Sequence, residues 1–163
     1  GAADHAGSCE AGGRRNLMAY LLDVNVLIAL AWPTHVHHVA AQTWFGTFGQ
    51  RAWAKCPLTQ AAFVRIASNP KFIDGAVTPS QAAELLSEVT KKEQHEFWPD
   101  DVSLANNKTI AWPYVVGHRQ VTDAYLLALA KARGGKLATL DGGVASLLPD
   151  AGERQALLEL IVA

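Results

Sequence analysis

The sequence predicts an α/β fold of three layers, in which a central, mostly parallel sheet is covered by helices on both faces. Short apolar runs of the kind buried on both sides of a sheet alternate with helically spaced stretches, the pattern of βα units. Two of those runs, Tyr20-Leu21-Leu22 and Leu137-Ala138-Thr139-Leu140, end at an aspartate. No internal repeat or linker divides residues 18–163, and half of the 163 residues are apolar against 18% charged, so one well-formed core is expected.

The elements follow in order. Residues 19–22 read as a buried strand that stops at Asp23, and Val24 to Ala31 as a helix broken by Pro33. Residues 35–49 resume helical spacing, with Val36, Val39, Ala40, Thr43, Trp44 and Phe48 expected on one face. A second strand is expected at 52–58, then a helix over 60–68 capped by Thr59. Thr78-Pro79-Ser80-Gln81 joins an N-cap, a proline at the first helical position and a glutamine three residues on, opening a helix to about Lys92. Residues 95–104 suggest a strand interrupted by Pro99. Thr122 or Asp123 is expected to cap the apolar helix Ala124 to Arg133, closed by Gly134-Gly135, before the strand Lys136 to Leu140. Gly1 to Leu17, rich in Gly and Ala and ending just before the single methionine Met18, is expected to be an appended remnant or a disordered extension.

Composition narrows the class. Two cysteines, Cys9 and Cys56, are too few for a disulfide framework, which points to a reducing cytoplasm, and no apolar run nears the roughly 18 residues that span a membrane. The net charge of −1 gives no broad basic surface. It is uneven, however: residues 84–101 carry −4, leaving +3 on the rest of 18–163, so the helix carrying most of those acids is expected to be a solvated face turned from any anionic ligand. No Gly-x-Gly-x-x-Gly, P-loop or Gly-x-Ser-x-Gly string occurs. His35, His37 and His38 lack a fourth zinc ligand. The five tryptophans read as core or interface anchors, Trp32 and Trp44 among them, and Cys56 as a buried thiol.

In a βα unit the strand ends and the next helix begins at one edge, where ligands bind. Asp23, Asp123 and Asp141 all fall on that edge. Each alone has an ordinary role, as a strand-end turn, an N-cap or an Asp-Gly turn. Together, unpaired carboxylates repel and raise one another's pKa unless a cation lies between them. Oxygen ligands with no thiol nearby suit Mg²⁺ or Mn²⁺, and such a centre suggests phosphoryl chemistry. Arg65 and Arg119 are candidate phosphate contacts, with surface ion pairing as the alternative.

Leu21-Leu22-Asp23-Val24-Asn25-Val26-Leu27-Ile28, Val121-Thr122-Asp123-Ala124-Tyr125-Leu126 and Leu137-Ala138-Thr139-Leu140-Asp141-Gly142-Gly143 resemble the acidic motifs of PIN-domain ribonucleases, in particular the VapC toxins of bacterial toxin–antitoxin systems. Pro57-Leu58-Thr59-Gln60-Ala61-Ala62-Phe63-Val64-Arg65 is similar to the segment that usually carries a further acid, but Gln60 and Ala62 stand where a glutamate is expected. The resemblance implies a PIN-like α/β/α domain over 18–163 and a Mg²⁺-dependent endoribonuclease leaving 5′-phosphate and 3′-hydroxyl ends. It implies Asp23, Asp123 and Asp141 as metal ligands, with Asn25 and Thr139 as their hydrogen-bond partners and Gln60 as an uncharged orienting group. It also implies an RNA substrate, a cognate antitoxin and a homodimer. Two alternatives remain at this stage: a PIN domain that binds RNA or antitoxin but cuts poorly, and a phosphatase using Asp23 as nucleophile.

Overall fold

The computed structural model describes residues 18–49, 52–91, 94–106 and 108–162; the expectation for Gly1 to Leu17, with Cys9, lies outside these residues. Among them five strands form one sheet: β1 (Tyr20–Leu22), β2 (Trp53–Lys55), β3 (His95–Phe97), β4 (Lys136–Thr139) and β5 (Leu158–Leu160). The order is β3-β2-β1-β4-β5 and every pairing is parallel, with Tyr20 opposite both Trp53 and Lys136. The chain builds outward from β1 on one side and then returns to its other side. The topological switch point therefore lies between β1 and β4.

The period-2 alternation of the strands divides the core in two. Leu21, Ala54 and Leu137 face one layer, where α5 (Val121–Ala132) is buried almost along its whole length from Ala124 to Ala130. Leu22, Trp53 and Ala138 face the other, built by α1 (Val24–Ala31), α2 (His38–Thr47), α3 (Pro57–Ala67) and α4 (Pro79–Thr90). The expected three-layer α/β/α architecture is thus observed. No helix among the described residues is long and apolar enough to cross a membrane.

Local chemistry explains the boundaries. The capping box of α4 forms as read: Gln81 N–H donates to Thr78 Oγ1 at 3.2 Å and Thr78 N–H to Gln81 Oε1 at 2.9 Å. Helix α5 ends in a Schellman turn, with Gly134 at φ +67°, Gly134 N–H donating to Lys131 O and Gly135 N–H to Ala130 O.

Several expectations are corrected. Helix α3 starts at Pro57, since a proline without an N–H fits the first helical turn better than a strand interior. Thr59 is consequently its third residue, not its cap, and its hydroxyl accepts from Cys56 N–H. Helix α5 starts at Val121 after a 3-10 turn over His118–Gln120, so neither Thr122 nor Asp123 caps it. Strand β3 stops at Phe97, ahead of Pro99. Helix α2 begins at His38 and buries Ala41 and Trp44, while Val36 and Val39 are 84% and 74% exposed, because only one narrow stripe meets α1. Helix α6 (Ala151–Leu157) and β5 have no counterpart in the sequence reading.

One buried residue stands against the apolar pattern. Lys55, on the same face of β2 as Trp53, is fully buried, and its Nζ has no hydrogen-bond partner among the described residues. It lies 5.2 Å from the centroid of the Trp53 ring. Burial holds its pKa down at about 8. Between that value and the ordinary 10.5 the unfolded chain binds the proton that the folded chain has lost, so stability rises with pH across this window. The Lys55→Met variant is expected to be more stable than the parent near neutrality by up to about 3 kcal/mol. Urea unfolding at pH 7 and at pH 10 measures it: the gap between the two proteins should close at the higher pH, and parallel profiles would refute the assignment.

Candidate active site

The switch point gathers the groups that matter. Asp23 ends β1 and caps α1, its Oδ1 accepting from Val24 N–H at 2.7 Å. The residue is 5% exposed, so a carboxylate here needs donors. Thr139, the last residue of β4, supplies one: its hydroxyl donates to Asp23 Oδ2 at 2.8 Å. Thr139 Oγ1 in turn accepts from Asn25 Nδ2 at 3.0 Å and from Asp141 N–H at 3.1 Å. One donor and two acceptor sites are all a hydroxyl has, so Thr139 is saturated. Asn25 completes the bridge, its Oδ1 accepting from Leu140 N–H at 3.1 Å. Asp23 N–H, finally, donates to Ala138 O at 3.0 Å.

Asp141 follows β4 and is exposed, with Oδ1 accepting from Gly143 N–H at 2.8 Å as it caps the 3-10 turn over Gly142–Leu147. Asp123 sits in the first turn of α5, half-buried. Because it does not cap that helix, its carboxylate is left free to face the site. Helices α1 and α5 both start at this edge, so their N-terminal N–H groups favour negative charge there.

The electrostatics couple all three acids. Burial pushes the Asp123 pKa up to about 6, and the charges of Asp23 and then Asp141 add to the rise. Burial also raises Asp23, against the lowering effect of its bonds from Thr139 and Val24, and Asp141 raises it further. The sequence-derived acids therefore interact within one site. Even so, among the described residues no group of three or more His, Cys, Asp or Glu side chains is gathered closely enough to form a ready-made ion cage. The donors are all hard carboxylate oxygens in mutual repulsion, and that set fits a divalent hard cation.

The other candidates are placed less closely. Gln60 is half-buried in the first turn of α3. Arg65 is exposed and, with α3 starting at Pro57, lies about 12 Å along that helix from its first residue. Arg119 is exposed in the 3-10 turn ahead of α5. None of the three is bonded to the acids. The histidines serve the backbone: His38 Nδ1 donates to Ala29 O at 2.6 Å, and His35 Nδ1 accepts from His37 N–H. Trp32, Trp44, Trp53, Trp98 and Cys56 are buried.

Asp100, which the sequence reading did not single out as a site residue, is exposed past the end of β3. It lies at the site edge, accepting from Leu58 N–H at the start of α3 and from Tyr125 Oη–H on α5, both at 2.9 Å. A cleft of about 330 Å³ opens beside it, walled by Leu58, Val102, Leu104, Val121 and Tyr125. The usable signal was its position, just past a strand end, as with Asp23 and Asp141.

Comparison with known proteins agrees with this geometry. The PIN domain family profile matches residues 20–147. Ribonuclease VapC39 of Mycobacterium tuberculosis is 48% identical over 128 residues, covering 78% of this chain and 92% of the relative. Ribonuclease VapC38 of the same organism is 46% identical over 127 residues, covering 78% and 88%. Among solved structures, VapBC2 from Rickettsia felis, crystallised with a DNA fragment from its promoter, matches with a TM-score of 0.54 at 12% identity. It covers 88% of this chain and 98% of that one, a likeness of fold.

The saturated Thr139 hydroxyl is the joint of the site. Thr139→Val should lower unfolding stability by about 1–3 kcal/mol, since it strips a donor from a buried carboxylate and leaves Asp141 N–H and the Asn25 amide short of an acceptor. Thr139→Ser should restore most of that loss. Urea denaturation of the two variants checks it, and an unaltered Thr139→Val would contradict the network.

Proposed function

This chain belongs to the PIN-domain family of VapC ribonucleases, and from that premise we propose that the β1/β4 switch point is its Mg²⁺-dependent RNA-cleaving centre. The protein is a toxin-class endoribonuclease, an enzyme that hydrolyses phosphodiester bonds. What carries the placement of its centre is the electrostatic coupling of Asp23, Asp123 and Asp141 at one sheet edge. These three residues would hold the ion. When bound, Mg²⁺, or Mn²⁺ in its place, lowers the pKa of water and offsets charge on phosphate oxygens.

The chain's own groups do the rest. Thr139 and Val24 N–H fix both oxygens of Asp23, so that its remaining lone pairs keep one direction. Asn25 locks α1 to the end of β4 and so fixes the distance between Asp23 and Asp141. The N-terminal N–H groups of α1 and α5 favour a phosphate at the edge. Gln60 offers an amide where the family places an acid, orienting without adding charge. Arg119, one turn before Asp123, and Arg65, farther along α3, are the cations assigned to the RNA backbone. A cognate antitoxin that covers this edge, a homodimer and a cytoplasmic setting complete the reading, and they rest on the family alone. Family membership also sets aside the aspartate-nucleophile phosphatase.

Cleavage of a long single-stranded RNA by the purified protein, with Mg²⁺ and with chelator, is the test. Asp23→Asn and Asp123→Asn should each lose more activity than the roughly 10–100-fold that removal of an outer hydrogen-bond partner such as Asn25 costs. Both should keep cooperative thermal unfolding. Undiminished cleavage by the two aspartate variants would sink the assignment, whereas equal losses in a non-cooperative, unfolded variant would point to the fold and not the chemistry.

A further inference from the structure

The cleft of about 330 Å³ beside Asp100 adjoins the acid edge, because Thr122, which lines it, directly precedes Asp123. Its walls are mostly aliphatic: Leu58 in the first turn of α3, Val102 and Leu104 after β3, and Val121 at the start of α5. Leu58 and Leu104 are exposed, so this apolar surface is open to a ligand. Among the described residues no lysine or arginine lines the cleft, which makes it a poor seat for phosphate. Its volume is at the low end of small-molecule sites, roughly 300–1,000 Å³, and suits one planar ring system.

One charged group faces this cleft, and it is held in a fixed orientation. Asp100 Oδ1 accepts from Tyr125 Oη–H and Oδ2 from Leu58 N–H, both at 2.9 Å, so α5 and α3 together set the plane of the carboxylate. Burial, and then the bond to Asp100, push the Tyr125 pKa above its ordinary value, so the proton stays on Oη to be donated. The nearby Cys56 thiol is a weak donor with an acceptor of its own, Thr59 Oγ1 at 3.6 Å. No ion pair among the described residues engages Asp100. A carboxylate has about four lone-pair sites, so each oxygen keeps capacity for a further donor.

Two acceptors side by side select one of the four RNA bases. Guanine presents two adjacent donors on its Watson–Crick edge, N1–H and the 2-amino group. Adenine and cytosine place an acceptor nitrogen beside their amine, and uracil flanks N3–H with two carbonyls, so each would set a lone pair against a carboxylate oxygen. Unpaired bases are commonly read in this way, edge to polar side chain and faces to apolar ones.

We propose that this cleft is the base-reading pocket of the nuclease, taking one unpaired guanine of the RNA, with Asp100 accepting from its N1–H and 2-amino group. Asp100 is then the residue that sets sequence preference, while Leu58, Val102 and Leu104 supply contact area to any base. The proposal rests on the RNA-cleaving reading for its substrate, but binding in the pocket needs neither metal nor cleavage.

The probes are the 5′-monophosphates of guanosine, inosine, adenosine, cytidine and uridine, titrated into the full chain with chelator present and followed by two-dimensional amide NMR. Inosine keeps N1–H and lacks only the 2-amino group. The guanosine nucleotide should shift the amides of Leu58, Asp100, Val102, Thr122 and Tyr125 and bind at least about tenfold more tightly than the other four, the scale of one charge-assisted hydrogen bond. Asp100→Asn, which puts a donor in place of one acceptor, should erase the preference for guanosine over inosine. Leu104→Ala should weaken all five nucleotides and keep that preference. Cooperative melting establishes that each variant is folded, and the comparison within the parent protein needs no variant. With Mg²⁺ and a randomised single-stranded RNA, guanine should be enriched at one fixed position relative to the cut. Selective guanosine binding without any RNA cleavage would leave the pocket standing and remove the nuclease reading. Equal affinity of the parent protein for the guanosine and inosine nucleotides, shifts confined to other parts of the chain, or a guanosine preference undiminished in folded Asp100→Asn would each overturn the proposal, even if RNA is cut.

Discussion

The carboxylate of Asp23 is buried at the end of the central strand, and the organisation of the site follows from the need to satisfy it. A charge in that position is tolerated only with donors on several sides. Three donors come from two segments: Val24 N–H and the Asn25 amide from the first turn of α1, and the Thr139 hydroxyl from the end of β4. Satisfying one side chain thus joins β1, α1 and β4 at the point where the strand order reverses. Because Thr139 also accepts from Asp141 N–H, the same joint sets where the chain goes after β4.

From that joint the functional geometry is almost forced. Asp141 must lie next to Asp23, and α5, packed on β1 and β4, delivers Asp123 from the opposite layer. The outcome is a set of partly buried like charges, and burial first, with their mutual repulsion adding to it, raises the pKa values of Asp23 and Asp123. Natural proteins place such strain at working sites. The rest of the molecule offsets it with two apolar layers around an all-parallel sheet, in which the long buried run of α5 is the main contributor on one side.

The sequence makes legible the elements whose chemistry is local or strongly apolar. Helix α4 announces itself by a capping box, α5 by an unbroken apolar run before Gly134, and β1 and β4 by apolar residues stopping at an aspartate. Elements decided by tertiary context stay hidden. Strand β5 is three residues with Glu159 in the middle, and it exists because β4 offers a free edge. Lys55 looks like a surface residue in the string Trp53-Ala54-Lys55, and only the helices folded over β2 reveal that it is buried. For the site, Asp23 and Asp141 are legible from strand-end position and Asp123 from a helix start at the same edge, while Asn25 and Thr139 are what the family resemblance implies; in the structure both donate to Asp23. Asp100 carries no motif in the sequence, and only the fold brings its carboxylate to Leu58 of α3 and Tyr125 of α5.

The central claim is that Asp23, Asp123 and Asp141 act as one cation-binding unit. Calorimetric titration of the protein with Mg²⁺, without RNA, tests it most directly, alongside Asp23→Asn, Asp123→Asn and Asp141→Asn variants that melt cooperatively. The account predicts millimolar or tighter binding in the parent protein, weakened by each of the three substitutions. Binding that survives all three, or a parent protein with no site at millimolar Mg²⁺, would contradict it.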